Sequence, residues 1–420
     1  MSRCERLHIA PTPVIGENST VQLENSQSTE INSALQIWQN FGFGRHLSAI
    51  IAIGSVTVLR WWKYLFLSSA LTDEMIYLGS FQRVLDGESP FSEVGYLYPS
   101  ATALVGAWAL RWWDQGLILA VIRTVNILGL AVSLWVALAW LRGSWRTRVA
   151  VGSLLVVLAP SIGYGISSGN LSFAVSGMVL CGLMFWRRHP KLSGALLGLS
   201  VALKPLAPVA ILVLLIHRSR GSGREHLWAA TTAGAIAGGL ILGLPHLEEL
   251  FAVNLAIRAS HSVSVFRLIH LAGWQISPFL LTTIVAAIAA MLARRQPMDI
   301  LGLMILSTTA ALAATALVRP HTLLLSLPLQ VAALTICLSR FSQFRTQSDN
   351  ERTSAHQPSY EVVLVCLAIG AIQFAEGATA ISDQPTWFQW AGALPPALAP
   401  MVLAGYVQRM LKSPPNTQVP

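Results

Sequence analysis

Stretches of about twenty mainly apolar residues, the length a helix needs to cross a bilayer, recur along the whole chain and are separated by short loops where basic residues gather. Such runs lie at 46–66, 117–141, 148–166, 170–186, 227–245, 276–293, 299–318, 321–339, 360–380 and 388–408. Only 11% of the residues are charged and 54% are apolar, whereas soluble domains carry about 25% charge. That shortage excludes a water-soluble enzyme, a disordered scaffold and a nucleic-acid binder. The net charge of +9 is then the mark of loops sorted by the positive-inside rule rather than of a nucleic-acid surface.

Sixteen basic residues fall in short loops: Arg142, Arg146 and Arg148; Arg187, Arg188 and Lys191; Arg218, Arg220 and Arg224; Arg294 and Arg295; Arg340, Arg345 and Arg352; Arg409 and Lys412. The intervening connections hold ten acids, from Asp73 and Glu74 to Asp383. The basic loops are therefore expected in the cytoplasm and the acidic ones outside. Two segments fit neither pattern. Residues 96–113 open on Tyr98-Pro99 and close on Trp112-Trp113, which suits a re-entrant or interfacial helix. Residues 192–216 are flanked by basic loops on both sides and interrupted by Lys204-Pro205, which suits two half-helices lining a cavity. The expected fold class is an all-α polytopic membrane protein of about 10 to 12 transmembrane helices, with re-entrant or interfacial helices in the first outer loop.

Residues 1–45 are polar, lack an apolar signal-peptide core, and read as a disordered cytoplasmic tail. Residues 46–412 form the membrane domain and 413–420 a short C-terminal tail. Trp61, Trp62, Trp112, Trp113, Trp186, Trp228, Trp387 and Trp390 stand at span ends and are expected in the headgroup zone. Three of the four cysteines (Cys181, Cys337, Cys366) lie in apolar runs and predict free thiols.

Chemistry concentrates in a few places. After the first run comes Thr72-Asp73-Glu74-Met75-Ile76-Tyr77, then an amphipathic stretch to residue 85, then Gly87-Glu88-Ser89-Pro90-Phe91 and Tyr96-Leu97-Tyr98-Pro99. This reads either as a solvated loop whose helix is capped by Thr72 and Asp73, or as a surface carboxylate acting as general base toward a hydroxyl. Lys204, about twelve residues from either end of its segment, is too deep to snorkel easily and points to a cavity. The outer loop 245–275 carries Arg258, Arg267 and three histidines including His261, against the positive-inside trend. These serve either to bind an anion or, for Arg258, to pair with Glu248 or Glu249 along a surface helix. Val318-Arg319-Pro320-His321 is either a phosphate clamp or an interfacial turn. Gly163 to Asn170, with three glycines, reads as a tight outer turn. Arg123 is a cation within a span, with Asp114 as one candidate partner.

Taken in order, these pieces resemble the integral-membrane glycosyltransferases of the GT-C class, and most closely the polyprenol-phosphate-mannose-dependent mannosyltransferases of glycosyltransferase family 87. The matching pieces are Asp73 with Tyr77, Gly87 to Phe91, Tyr96-Leu97-Tyr98-Pro99, Gly169-Asn170, Gly194 to Gly198 leading to Lys204-Pro205, Ser260-His261-Ser262 with Arg267, and Arg319-Pro320-His321. The chain departs from the family pattern where Ser100 follows Pro99 and where Gly169-Asn170 replaces Gly-Gln.

The resemblance implies a hexosyltransferase, with mannose favoured, that uses a polyprenyl-phosphate-linked sugar and a lipid or glycan acceptor. It implies an active site on the extracytoplasmic face of a bacterial plasma membrane. Asp73 would act as base with inversion, and Glu74 would be its alternate. Lys204, Arg319, His321, Arg258 and Arg267 would hold the donor phosphate, while Tyr77, Tyr98, Asn170 and His261 would contact substrate. Neither a cofactor nor a dedicated metal cage is expected. The competing class is a multi-span transporter or lipid flippase with Lys204, Arg123 and Glu376 along its path; an enzyme instead needs Asp73 and the cations around one cavity.

Overall fold

A computed structural model describes residues 43–412 except 67–68, 94, 139–143, 187, 205–207, 217–224, 243–245, 256–261, 263, 296–299, 316–319, 349–358 and 374–385. The expected tails at 1–45 and 413–420 therefore lie almost wholly outside the described residues. Among those described, seventeen α-helices and two short 3-10 helices form the fold, with no strand. The helices are α1 (Phe43–Leu65), α2 (Thr72–Leu85), α3 (Ser100–Leu110), α4 (Gln115–Ala137), α5 (Trp145–Leu158), α6 (Pro160–Ser168), α7 (Ser172–Phe185), α8 (Pro190–Leu203) and α9 (Pro208–Ile216). They continue with α10 (Glu225–Leu242), α11 (Leu247–Leu255), α12 (Val265–Leu271), α13 (Pro278–Arg295), α14 (Ile300–Ala314), α15 (Leu327–Ser348), α16 (Ser359–Gln373) and α17 (Thr386–Lys412). The 3-10 turns are Pro90–Ser92, before α3, and Pro320–Ser326, which leads into α15.

The protein is an all-α polytopic membrane protein. Three stretches are long and apolar enough to cross a bilayer alone: α4, α13 and Gln389–Arg409 within α17. The pair α5 and α6 qualifies jointly but bends by 66°. Seven more apolar helices have 10–17 residues, too short for a single crossing of about 20. Large apolar side chains on several helices, such as Leu59, Leu158 and Leu367, face outward. In water such a surface would aggregate, but against lipid it is at home.

Small residues set the closest helix contacts, as expected where lipid removes the hydrophobic drive between helices. A Cβ at Gly129 of α4 would stand 2.5 Å from the Ala174 Cα of α7, and one at Gly177 2.8 Å from the Gly129 carbonyl. Gly194 and Gly198, one turn apart on α8, meet the carbonyls of Ala229 and Ala233 on α10 in the same way. That seam fixes α8 and therefore the position of Lys204 at its end.

Several elements differ from the sequence expectation. The turn expected over 163–170 is mostly helix α6; only Gly169-Asn170 turns, with Gly169 left-handed at φ +73°. The glycines at 163 and 165 instead make room for the rings of Trp61 and Phe173. The single span expected at 148–166 breaks at Ala159, whose extended backbone suits the residue before a proline. Trp186 is fully buried in the core rather than in an interfacial belt, whereas Trp62, Trp112, Trp113, Trp228 and Trp387 are exposed. Residues 96–113 contain only the 11-residue α3, about 16 Å long and unable to span. In 192–216 the helix stops at Leu203 and resumes at Pro208, a break at the Lys204-Pro205 position the sequence indicates.

Candidate functional site

Helix α2 carries the first acidic pair. Leu71, not Thr72, occupies the N-cap, and Asp73 and Glu74 lie in the first turn, where negative charge is favoured by the helix dipole. Glu74, Tyr77 and Phe81 share one buried face. Tyr77 and Phe81 enter a cluster with Tyr96, Ala103, Ile118, Ile122, Leu171 and Ala174, and Phe81 lies over Gly106 of α3. Each fully buried aromatic is worth about 1.5–3 kcal/mol relative to exposure, so α2 is held firmly against α3, α4 and the start of α7. Asp86 and Gly87, the latter at φ +82°, end the helix.

Asn170 stands at the centre of the polar residues. Its Nδ2 donates to Asp73 Oδ2 at 2.9 Å and to the Tyr98 hydroxyl at 3.0 Å. Its Oδ1 accepts from the Ser172 backbone N–H at 2.9 Å, from Ser172 Oγ at 2.6 Å and from Lys204 Nζ at 3.2 Å. Lys204 Nζ also donates to Ser172 Oγ at 2.6 Å and sits 5.6 Å from the Tyr98 ring centroid, within cation–π range. One amide thus links a carboxylate to an ammonium. Asn170 and Ser172 are buried, while Asp73, Tyr98 and Lys204 keep partial exposure. A buried scaffold therefore presents two opposite charges at an accessible edge.

The local sequence explains this arrangement. Asn170 accepts the N–H two residues on, an Asx-type turn, and so turns the chain into α7. Lys204 is the C-cap of α8 in an extended conformation, φ −156° and ψ 123°, as its position before Pro205 favours. Tyr77 is fully buried, and its hydroxyl oxygen accepts the Leu171 N–H at 3.3 Å. Burial first, then the neighbouring Tyr98 and Asp73, push this phenol well above its ordinary range, so it stays protonated and props the 169–172 turn.

The sequence model of glycosyltransferase family 87 matches residues 96–339, more than half of the chain. The chain belongs to glycosyltransferase family 87. It is a membrane glycosyltransferase acting on a sugar donor and an acceptor, which decides against the transporter or flippase reading. No curated protein and no solved structure matches it. The family match begins at Tyr96 and takes in Tyr98, Asn170 and Lys204, while Asp73 and Glu74 stand upstream of it.

The structure joins four of the sequence-derived candidates, Asp73, Tyr98, Asn170 and Lys204, in one network. Glu74 is elsewhere: it is fully buried against Arg123, with Arg123 Nε 2.9 Å from Oε1 and Nη2 2.7 Å from Oε2. Arg123 therefore pairs with Glu74 and not with Asp114, whose carboxylate caps α4 by accepting the Leu117 N–H at 2.8 Å. Arg267 is buried in α12 with Nη1 donating to the Ser262 carbonyl at 3.2 Å, and α12 packs on α14 and α17. Ser264 and Val265 at the start of this helix line a small cavity with Leu323 of the turn Pro320–Ser326. Glu249 accepts from Ser89 and from His246. Arg258, His261 and Arg319 lie outside the described residues, as does the side chain of His321. The backbone of His321 belongs to the 3-10 turn Pro320–Ser326, which packs on α6 and α7.

Ser172 is the residue that sequence reasoning missed. Its signal was local: a serine two places after an asparagine at the start of a helical apolar run. The need for a hydroxyl there becomes visible only when Lys204 arrives from 32 residues away.

Proposed function

We propose that this glycosyltransferase moves a hexose, with mannose favoured, from a polyprenyl-phosphate donor to a hydroxyl of a lipid or glycan acceptor, with inversion, on the extracytoplasmic face of a bacterial plasma membrane. The observation that carries this reading is the Asn170 amide, which holds the Asp73 carboxylate and the Lys204 ammonium together at a partly open edge. Asp73 takes the proton of the attacking hydroxyl. The acceptor oxygen bonds to the anomeric carbon as the bond from that carbon to the phosphate oxygen breaks. Lys204, whose ammonium reaches Ser172 at the beginning of α7, stabilises the negative charge that develops on the departing lipid phosphate. Arg319 and His321 are proposed as further contacts of the donor phosphate; the turn Pro320–Ser326, which contains the His321 backbone, packs on α7.

Asp73 is favoured over Glu74 as base because Glu74 has no exposure and both of its oxygens are engaged by Arg123. Arg258, Arg267 and His261 remain proposed contributors to donor or acceptor binding. The test is transfer from labelled polyprenyl-phosphate mannose to membrane-lipid acceptors by the purified protein. Asp73→Asn is expected to lower kcat at least a thousandfold with the melting temperature preserved. Wild-type turnover in that variant would remove Asp73 from the reaction.

A further inference from the structure

Two consecutive acids on α2 grip two consecutive residues of another element, and only one of these grips has been given a role. Asp73 meets Asn170. Glu74 meets Gly169: a Cβ placed on Gly169 would stand 2.6 Å from Glu74 Cγ and 2.9 Å from Cδ. The Glu74 side chain therefore occupies the space that any larger residue at 169 would need, and the left-handed φ of +73° at that position suits glycine as well.

We propose that the buried Glu74–Arg123 pair is a positioning device that sets Asp73 against Asn170 in the reactive geometry. This inference rests on the reading of Asp73 as the base. Arg123 comes from α4, which packs on α7 through Gly129 and Gly177. Its guanidinium holds three points of the preceding chain at once. Nε and Nη2 take the two Glu74 oxygens, Nη1 donates to the Leu65 carbonyl at 3.1 Å and Nη2 to the Ser69 carbonyl at 2.9 Å. Glu74 Oε2 additionally accepts the Leu71 N–H at 2.8 Å. The end of α1, the turn after it and the first turn of α2 are thereby registered on α4, and α4 is registered on α7.

A helix rotates by about 100° per residue. Fixing Glu74 beneath Gly169 therefore fixes where Asp73 points, and this direction is toward Asn170. A planar guanidinium fork suits the task because it constrains orientation as well as distance. A misplacement of about 1 Å at a reacting group can cost about 100-fold in rate, so Glu74 and Arg123 act on catalysis through Asp73 without touching substrate.

The experiment compares Glu74→Gln, Arg123→Lys and Gly169→Ala in the full-length protein, using labelled polyprenyl-phosphate mannose and membrane-lipid acceptors across about pH 3.5–9, a range spanning ordinary carboxylate and histidine titration (about 4 to 6.5). Gly169→Ala leaves every charge in place and pushes on Glu74 from the other side, so it carries the test if Glu74→Gln does not fold. Each variant is expected to lose about 30- to 100-fold in kcat, with the donor KM changed less than threefold and the acidic limb of the pH–rate profile retained. The double variant Glu74→Gln with Gly169→Ala is expected to be no slower than the slower single, because both act through one coupling. Variants that lower the melting temperature while kcat stays within threefold of wild type would overturn the proposal. So would loss of the acidic limb in Glu74→Gln alone, which would make Glu74 the base. The underlying reading fails separately, by full activity of Asp73→Asn.

Discussion

Replacing Asn170 by aspartate changes one NH2 group to an oxygen and little else, yet the geometry makes its consequence large. The Nδ2 that donates to Asp73 Oδ2 at 2.9 Å becomes a carboxylate oxygen, and a favourable contact becomes a like-charge one. Two unit charges about 4 Å apart at an effective dielectric of about 20 repel by about 4 kcal/mol, equivalent to about three pKa units. Lys204, 3.2 Å from the other oxygen of residue 170, offsets part of this, as does the water that reaches the half-exposed Asp73. The net displacement for the first proton the pair binds is upward. If Asp73 is the base, the acidic limb of the pH–rate profile for sugar transfer moves to higher pH, and the rate recovers in alkaline buffer. Asn170→Ala is the control: it frees Asp73 and Lys204 from their shared amide and should lower kcat by about 100-fold without displacing the limb upward. An Asn170→Asp profile that overlays the wild type, limb and plateau alike, would refute the claim that Asn170 holds the catalytic carboxylate.

The helix seam behind Lys204 gives a stability prediction. A side chain at Gly198 would enter the Ala233 carbonyl at 2.7 Å. Gly198→Val should therefore cost about 1–3 kcal/mol of overpacking and reduce transfer as α8 is displaced, read as a lower melting temperature in detergent together with a lower kcat. Hydrogen bonds from Ser89 and then His246 hold the Glu249 carboxyl below its ordinary range. A depressed folded-state value means the contact of α11 with the Pro90–Ser92 turn is fully present above about pH 4.3 and is lost as pH falls through the lower folded value. Amide hydrogen exchange over 247–253 should accelerate in that acid window. The same acid response in Ser89→Ala as in wild type would show that the contact does not govern it.

What could be read from the sequence were the chemical exceptions. A lysine followed by proline inside an apolar run marks the helix break at 204 because both residues are costly there. The Tyr98-Pro99 start and the Trp112-Trp113 end delimit a helix too short to span. The failures share one cause: a residue's role was assigned from its neighbours in the chain when its reason lay in another helix. Gly163 and Gly165 suggested a turn, but their missing side chains accommodate Trp61 and Phe173. Trp186 stands at the end of a span like an interfacial anchor, but its ring is fully buried in the hydrophobic core. Arg123 had an acid nine residues away in sequence, and its partner proved to be 49 residues away.

The same reasoning bears on the two adjacent acids, of which the sequence reading preferred Asp73 and kept Glu74 as its alternate. In a chain with so few charges, a carboxylate inside the protein must be matched by a cation or bear the full cost of desolvation. Glu74 is matched on both oxygens by a guanidinium, so a proton taken from a substrate would have to displace Arg123 from a buried site. Asp73 is matched by a neutral amide that supports its charge without neutralising it, and one side of it stays open. A base needs that combination: a partner that orients the carboxylate, and an unobstructed oxygen toward the hydroxyl. Lys204 Nζ in turn donates to Asn170 Oδ1 and to Ser172 Oγ. These oxygens hold the ammonium on one side of the Asn170 amide while Asp73 meets the other.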